Sequence, residues 1–139
     1  MKTRFSSLVL LKKNKMKKSE QFVQQASVNV NNANTALEQS YKSLDELSAP
    51  NSGRINEMLA VRHLLTSQRE NIEHNKGWVN FAKNELQNAK ERFKADTLEY
   101  EKFQYLELQE IKQELQKRKL KEAKELDEIA LMTYTEKNR

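Results

Sequence analysis

Val9, Met16, Val23, Val30, Leu37 and Leu44 recur at strict intervals of seven residues. The positions that alternate with them at the spacing of a second seam are Phe5, Lys12, Ser19, Ala26, Ala33, Ser40 and Leu47. Two interleaved seven-residue series form the a/d register of a coiled coil, with an apolar residue at every a and small or polar residues at most d positions. Such a chain cannot alternate its faces as a strand does. It must wind as a helix and lay one stripe against a partner helix.

The helix is expected to run from about residue 3 to 48, because "SAPNSGR" then places Pro50 and Gly53 close together, with a turn over 49–53. A second series follows at the same period: Met58, Leu65, Ile72, Val79, Leu86, Phe93 and Tyr100, with Val61, Ala82, Ala89 and Phe103 among its companions. Two heptad helices with a short connection fold back on each other. The fold class is therefore all-α: two long helices in an antiparallel coiled-coil hairpin, one domain over 1–139, the second helix spanning about 54–134. The first helix should reach roughly 65 Å and the second roughly 120 Å at 1.5 Å per residue.

Equal distance from the turn makes Val30 and Ile72 neighbours and sets Gly77 against Ala26, where close backbone approach would justify a helix-interior glycine. The unbroken phase from Ile72 to Val79 and Leu86 argues against a second turn at "HNKGW". Pairing counted this way exhausts the first helix near residue 100. Beyond Phe103 the apolar register slips to a sparser set, Leu108, Ile111, Leu115, Leu126 and Ile129, interrupted by "KRKLKEAKE". That C-terminal overhang has a weak stripe and nothing of its own chain to bury it against, which points to another protein.

Composition agrees with long helices. There are two glycines and one proline in 139 residues, 32% of residues are charged, and the net charge is +5. Few turn residues mean few, long elements. With no cysteine there is no disulfide framework or thiolate metal site, as suits a reducing compartment. The opening "MKTRFSSLVLLKKNKMKK" has seven basic residues and no acid, but its apolar run is short and lysines follow directly. It reads as the start of the helix rather than a secretory signal, and no run approaches the roughly 18 apolar residues of a membrane span.

No enzyme constellation is present. His63 and His74 stand eleven residues apart, about 16 Å along a helix and too far to share a metal. There is no glycine-rich phosphate loop and no nucleophile with a base, so neither catalysis, cofactor nor metal is expected. Glu73 and Lys76 make an ordinary helix-surface pair, and Trp78 reads as flank packing beside Val79. Basic clusters at 1–18 and 117–124 raise a nucleic-acid reading. The second is flanked by Glu110, Glu114, Glu122, Glu125, Asp127 and Glu128, so no specific nucleic acid is expected, and a solvated face or an acidic protein partner is favoured. A structural coiled coil of another assembly is the third alternative.

The stretch "RFSSLVLLKKNKMKKSEQFVQQA", the ending "ELDEIALMTYTEKNR" and the hairpin between them resemble the flagellar export protein FliJ family. The resemblance implies a non-enzymatic component of the flagellar type III export apparatus, cytoplasmic and peripheral at the inner membrane through its partners. Family members form an antiparallel coiled coil similar to the gamma stalk of rotary ATP synthases. Their open end enters the ring of the export ATPase, and the hairpin contacts the export gate protein and substrate chaperones. The candidate ATPase-binding residues are Phe5, Leu8, Leu11, Lys12, Lys13, Leu126, Ile129 and Met132. The gate-contacting region corresponds to "INEMLAVRHLLTSQRENI", where Leu59 and Leu64 are the candidates; an aromatic that the family pattern places there is missing.

Overall fold

A computed structural model describes residues 2–47 and 54–137. They form two helices, α1 (Ser6–Glu46) and α2 (Ile55–Lys137), of 41 and 83 residues. No strand occurs among the described residues. The expected turn at 49–53 lies outside them. The helix limits move by a few residues from expectation, and α2 passes through Gly77 without a break.

Local chemistry sets the helix ends. The Phe5 amide donates to Thr3 Oγ1 at 3.1 Å, and the Thr3 amide donates to Ser6 Oγ at 2.8 Å. This is a capping box with serine in the returning position, and it satisfies amides that the first turn leaves without partners. At the other end of α1, the Leu47 amide donates to the Leu44 carbonyl at 3.1 Å, tightening the last turn.

The helices pack as two units. Residues 17–95 form the first. Ala33, Val79 and Ala82 are buried together, with Val30 and Leu37 packed against them. Because alanine and serine occupy the d positions Ser19, Ala26, Ala33 and Ser40, the backbones come close, and those small side chains are the buried residues of α1. The larger a residues Val23, Val30, Leu37 and Leu44 are half-buried. A two-helix seam has only one partner surface and cannot enclose them.

Buried polar residues punctuate this seam. Asn75 Nδ2 donates to Ser40 Oγ, Ser40 Oγ donates to the Ala36 carbonyl at 2.9 Å, and Gln68 Nε2 donates to the Ser40 carbonyl at 2.9 Å. Each bond satisfies a group that would otherwise be costly to bury. The pairing is antiparallel: Ser40 meets residues 68–75, and Val30 meets the Val79–Ala82 layer.

This corrects two expectations. Val30 and Ile72 are not neighbours, since equal distance from the connection does not set the register. The Ser40–Asn75 layer and the small residues set it, and Ile55–Ala60 stay exposed as a result. Nor does Gly77 face Ala26 closely, because a Cβ built on Gly77 meets nothing within 4 Å. It lies on an open face.

The second unit comprises 2–16 with 96–137 among the described residues. Its links include ion pairs: Arg4 Nε to Glu110 Oε2 at 3.3 Å, Lys12 to Glu99 at 3.7 Å, and Lys15 to the buried Asp96 at 3.8 Å. Pairing therefore reaches Glu110 rather than ending near residue 100. The geometric register also does not slip at Phe103. Glu107 and Glu110 continue the series of Tyr100 and Phe103, half-buried, each with one oxygen that is buried and accepts no hydrogen bond. The apolar pattern fades there because the seam positions are carboxylates. The Arg4–Glu110 contact is a charge contact without hydrogen-bond alignment, and with the Arg4 side chain 78% exposed it is weakly stabilising. From Lys112 to Lys137 every residue is exposed, so the overhang begins at 112.

Candidate partner-binding surfaces

The residues singled out near the N-terminus divide between two roles. Phe5 is a seam residue, half-buried, with the Arg4 guanidinium 4.9 Å from its ring centre. Leu8 and Leu11 lie outside the seam and are exposed. Their separation of three residues puts them on one helix face. Lys13 is exposed, whereas Lys12 leans on α2, where it pairs with Glu99 and sits 5.6 Å from the Phe103 ring centre. Arg4, Lys12 and Lys15, three of the seven basic residues of the opening run, meet carboxylates of α2 in the same unit.

On the overhang, Leu126, Ile129 and Met132 are all exposed. Ile129 and Met132 line one shallow depression with Glu125, Glu128 and Leu131. Leu126 does not line it, because successive steps of three residues drift around the helix by about 60° each.

Leu59 and Leu64 are both exposed. Five residues apart, they point about 140° away from each other, and Leu59 shares its depression with Arg62, His63 and Thr66. They belong to different faces.

Sequence reasoning missed an aromatic groove in the 17–95 unit. Its floor is Ala26 and Ala89, its walls are Phe22 and Phe81, and Glu85 and Arg92 stand at its rim, enclosing about 380 Å³. Trp78 and Phe81 line an adjoining depression beside Gly77. A signal was available: Phe22 and Trp78 each immediately precede an a residue, Val23 and Val79, and in an antiparallel pair those flanks lie on one side. Nearby, Lys76 pairs with Glu73 at 3.3 Å. That hydrogen bond, and next the one with the Tyr41 hydroxyl, holds the Lys76 ammonium above its usual pKa.

Among the described residues there is no cluster of three or more His, Asp or Glu placed to hold a metal, and no helix is long and apolar enough to cross a membrane. The candidate surfaces are exposed helix faces. Fold and surfaces together define a class, the helical-hairpin coiled coils. The family model described as flagellar FliJ protein matches residues 1–139, the whole chain, and the chain belongs to that family. It is thereby a component of the flagellar type III export apparatus, with a role in flagellar biogenesis and motility. No curated protein and no solved structure matches it.

Proposed function

We propose that this chain is a non-enzymatic, stalk-like adaptor, a single hairpin domain that couples the flagellar export ATPase ring to the export gate and to substrate chaperones. It acts in the cytoplasm at the inner face of the inner membrane, held there by its partners. The observation that carries the reading is the exposed overhang of α2 from 112 to 137, which presents Leu126, Ile129 and Met132 with no intrachain cover. A helix with an uncovered apolar stripe is the form in which an adaptor offers itself to a groove on a partner. Leu8 and Leu11, with Lys13 beside them, supply a second contact for an acidic collar, and the lysine speeds encounter by electrostatic steering. Leu59 and Leu64 offer two separate faces to the gate.

Binding of the full chain to the purified export ATPase and to the soluble part of the gate protein tests the reading. Saturable binding to both, competed by unlabelled chain, is expected. Absence of ATPase binding with intact helix content overturns the adaptor role. The nucleic-acid alternative is disfavoured because Arg4, Lys12 and Lys15 already meet carboxylates. Duplex DNA should bind weakly and lose affinity steeply as salt rises.

A further inference from the structure

The overhang is charged in an order that complements its own reverse. Basic residues come first, Lys117, Arg118, Lys119 and Lys121, and acids follow, Glu122, Glu125, Asp127 and Glu128, with Lys124 among them. Laid antiparallel on a second copy about a two-fold axis at Ala123, Arg118 falls level with Glu128, Lys119 with Asp127, and Lys121 with Glu125. Glu122 falls level with Lys124, and Leu120 with Leu126. Between residues 112 and 134 this alignment sets no two like charges level. An axis half a heptad earlier sets Arg118 level with Lys121 and Glu114 level with Glu125, and a parallel alignment opposes every charge to itself.

Only part of each helix can face its partner. With Ala123 turned toward the partner, Lys119 with Asp127 and Leu120 with Leu126 lie nearest the facing side, and the other pairs of opposite sign lie level around the flanks and outer faces. Like charges placed opposite each other are what suppress wrong pairings.

Two structural observations say that these charges are available. Every residue from 112 to 137 is exposed, and none of those from 117 to 128 forms an ion pair among the described residues. Within 117–128 the intrahelical pairs four residues apart, Arg118 with Glu122, Lys121 with Glu125 and Lys124 with Glu128, run base before acid, the less favourable direction along a helix; only Glu114 with Arg118 runs acid first. Local helix stabilisation therefore does not explain the order.

We propose that the overhang is a self-association element, and that two copies of this chain pair antiparallel through residues 112–134 about Ala123. The pairing depends on salt, and it covers Leu126, so it competes with any other occupant of that face. It does not rest on the adaptor reading and can be tested without any partner protein.

The test is sedimentation equilibrium on the full chain at concentrations up to the order of 100 μM. Wild-type chain should dimerise in low salt and loosen about tenfold or more as screening rises. A variant carrying Arg118→Glu, Lys119→Glu and Lys121→Glu should be monomeric, as should one carrying Glu125→Lys, Asp127→Lys and Glu128→Lys. Mixed together, the two should form a one-to-one heterodimer. Under oxidation, Ala123→Cys should crosslink to itself, whereas Lys112→Cys should crosslink to Tyr134→Cys and not to itself. A wild-type chain that stays monomeric in low salt, variants that dimerise alone, or a mixture that does not pair each overturns the proposal. Circular dichroism of each variant shows whether a lost dimer reflects lost pairing or a lost helix.

Discussion

Asn75 donates a hydrogen bond from its side-chain amide to the Ser40 hydroxyl across the seam of the two helices, at buried positions of both. The hydroxyl in turn donates a hydrogen bond to the Ala36 carbonyl, so the layer is satisfied from both sides. A buried polar layer of this kind contributes less to stability than to register, since sliding the helices by a turn would leave Asn75 buried without acceptors. Asn75→Ala should destabilise the fold by about 1–2 kcal/mol. Combined with Ser40→Ala it should cost less than the sum of the single changes, with a coupling of about 0.5 kcal/mol or more. Urea unfolding of the four chains measures this. Strict additivity would mean that the two side chains do not interact in solution.

Gly77 makes the opposite case. It lies inside α2 with helical backbone, has no positive φ, and has open space where a Cβ would go. Nothing in the packing requires glycine, so Gly77→Ala should stabilise by about 0.5–1 kcal/mol through helix propensity. A rise in the thermal midpoint of a few degrees is the expected readout. A loss of stability would show that the helix is broken at this point in solution.

Glu107 and Glu110 test the seam beyond Phe103. Each buries a carboxylate oxygen that accepts no hydrogen bond, at positions where the seven-residue series calls for apolar side chains. Arg4 offsets the charge of Glu110, and no such contact meets Glu107 among the described residues. Glu107→Leu should therefore stabilise by about 1 kcal/mol, by removing an unmet acceptor and adding apolar cover. Slower amide exchange over residues 5–12 should accompany it, because α1 there gains a better partner. Unchanged exchange would place that part of α1 away from Glu107.

The heptads made the seam legible. Every a and d position from Val9 to Leu47 is at least half-buried, and Thr3 marks where the chain turns into a helix. What the sequence hid was the offset between the helices. Apolar periodicity repeats every seven residues and so fits several registers equally well. The choice among them falls to polar contacts: Ser40 with Asn75, both at d positions, and Asp96, a d residue that meets the flanking Lys15. The same hidden offset ended the pairing too early: counted at equal distance from the connection the first helix runs out near residue 100, whereas the observed offset carries it to Glu110. Among the candidate contacts, the exposure of Leu126 and Ile129 followed from their having no partner stripe. The inward turn of Phe5, away from Leu8, followed from its place in the d series.

The placement of those candidates sharpens the functional test. Phe5 is structural as well as apolar, so Phe5→Ala confounds lost binding with lost packing. Leu8→Ala with Leu11→Ala, and separately Leu126→Ala with Ile129→Ala and Met132→Ala, remove exposed side chains and should leave helix content intact. If these faces dock on the ATPase ring, each set should weaken binding by about 2 kcal/mol or more and reduce ATPase stimulation and motility together. Removing the exposed rim charge with Lys13→Ala should cost under about 1 kcal/mol and act mainly on the association rate. Substitutions in "APNSG" serve as the control and should leave ATPase binding unchanged. Loss of binding in the "APNSG" variants, with retention in both leucine sets, would assign the ring contact to the opposite part of the chain.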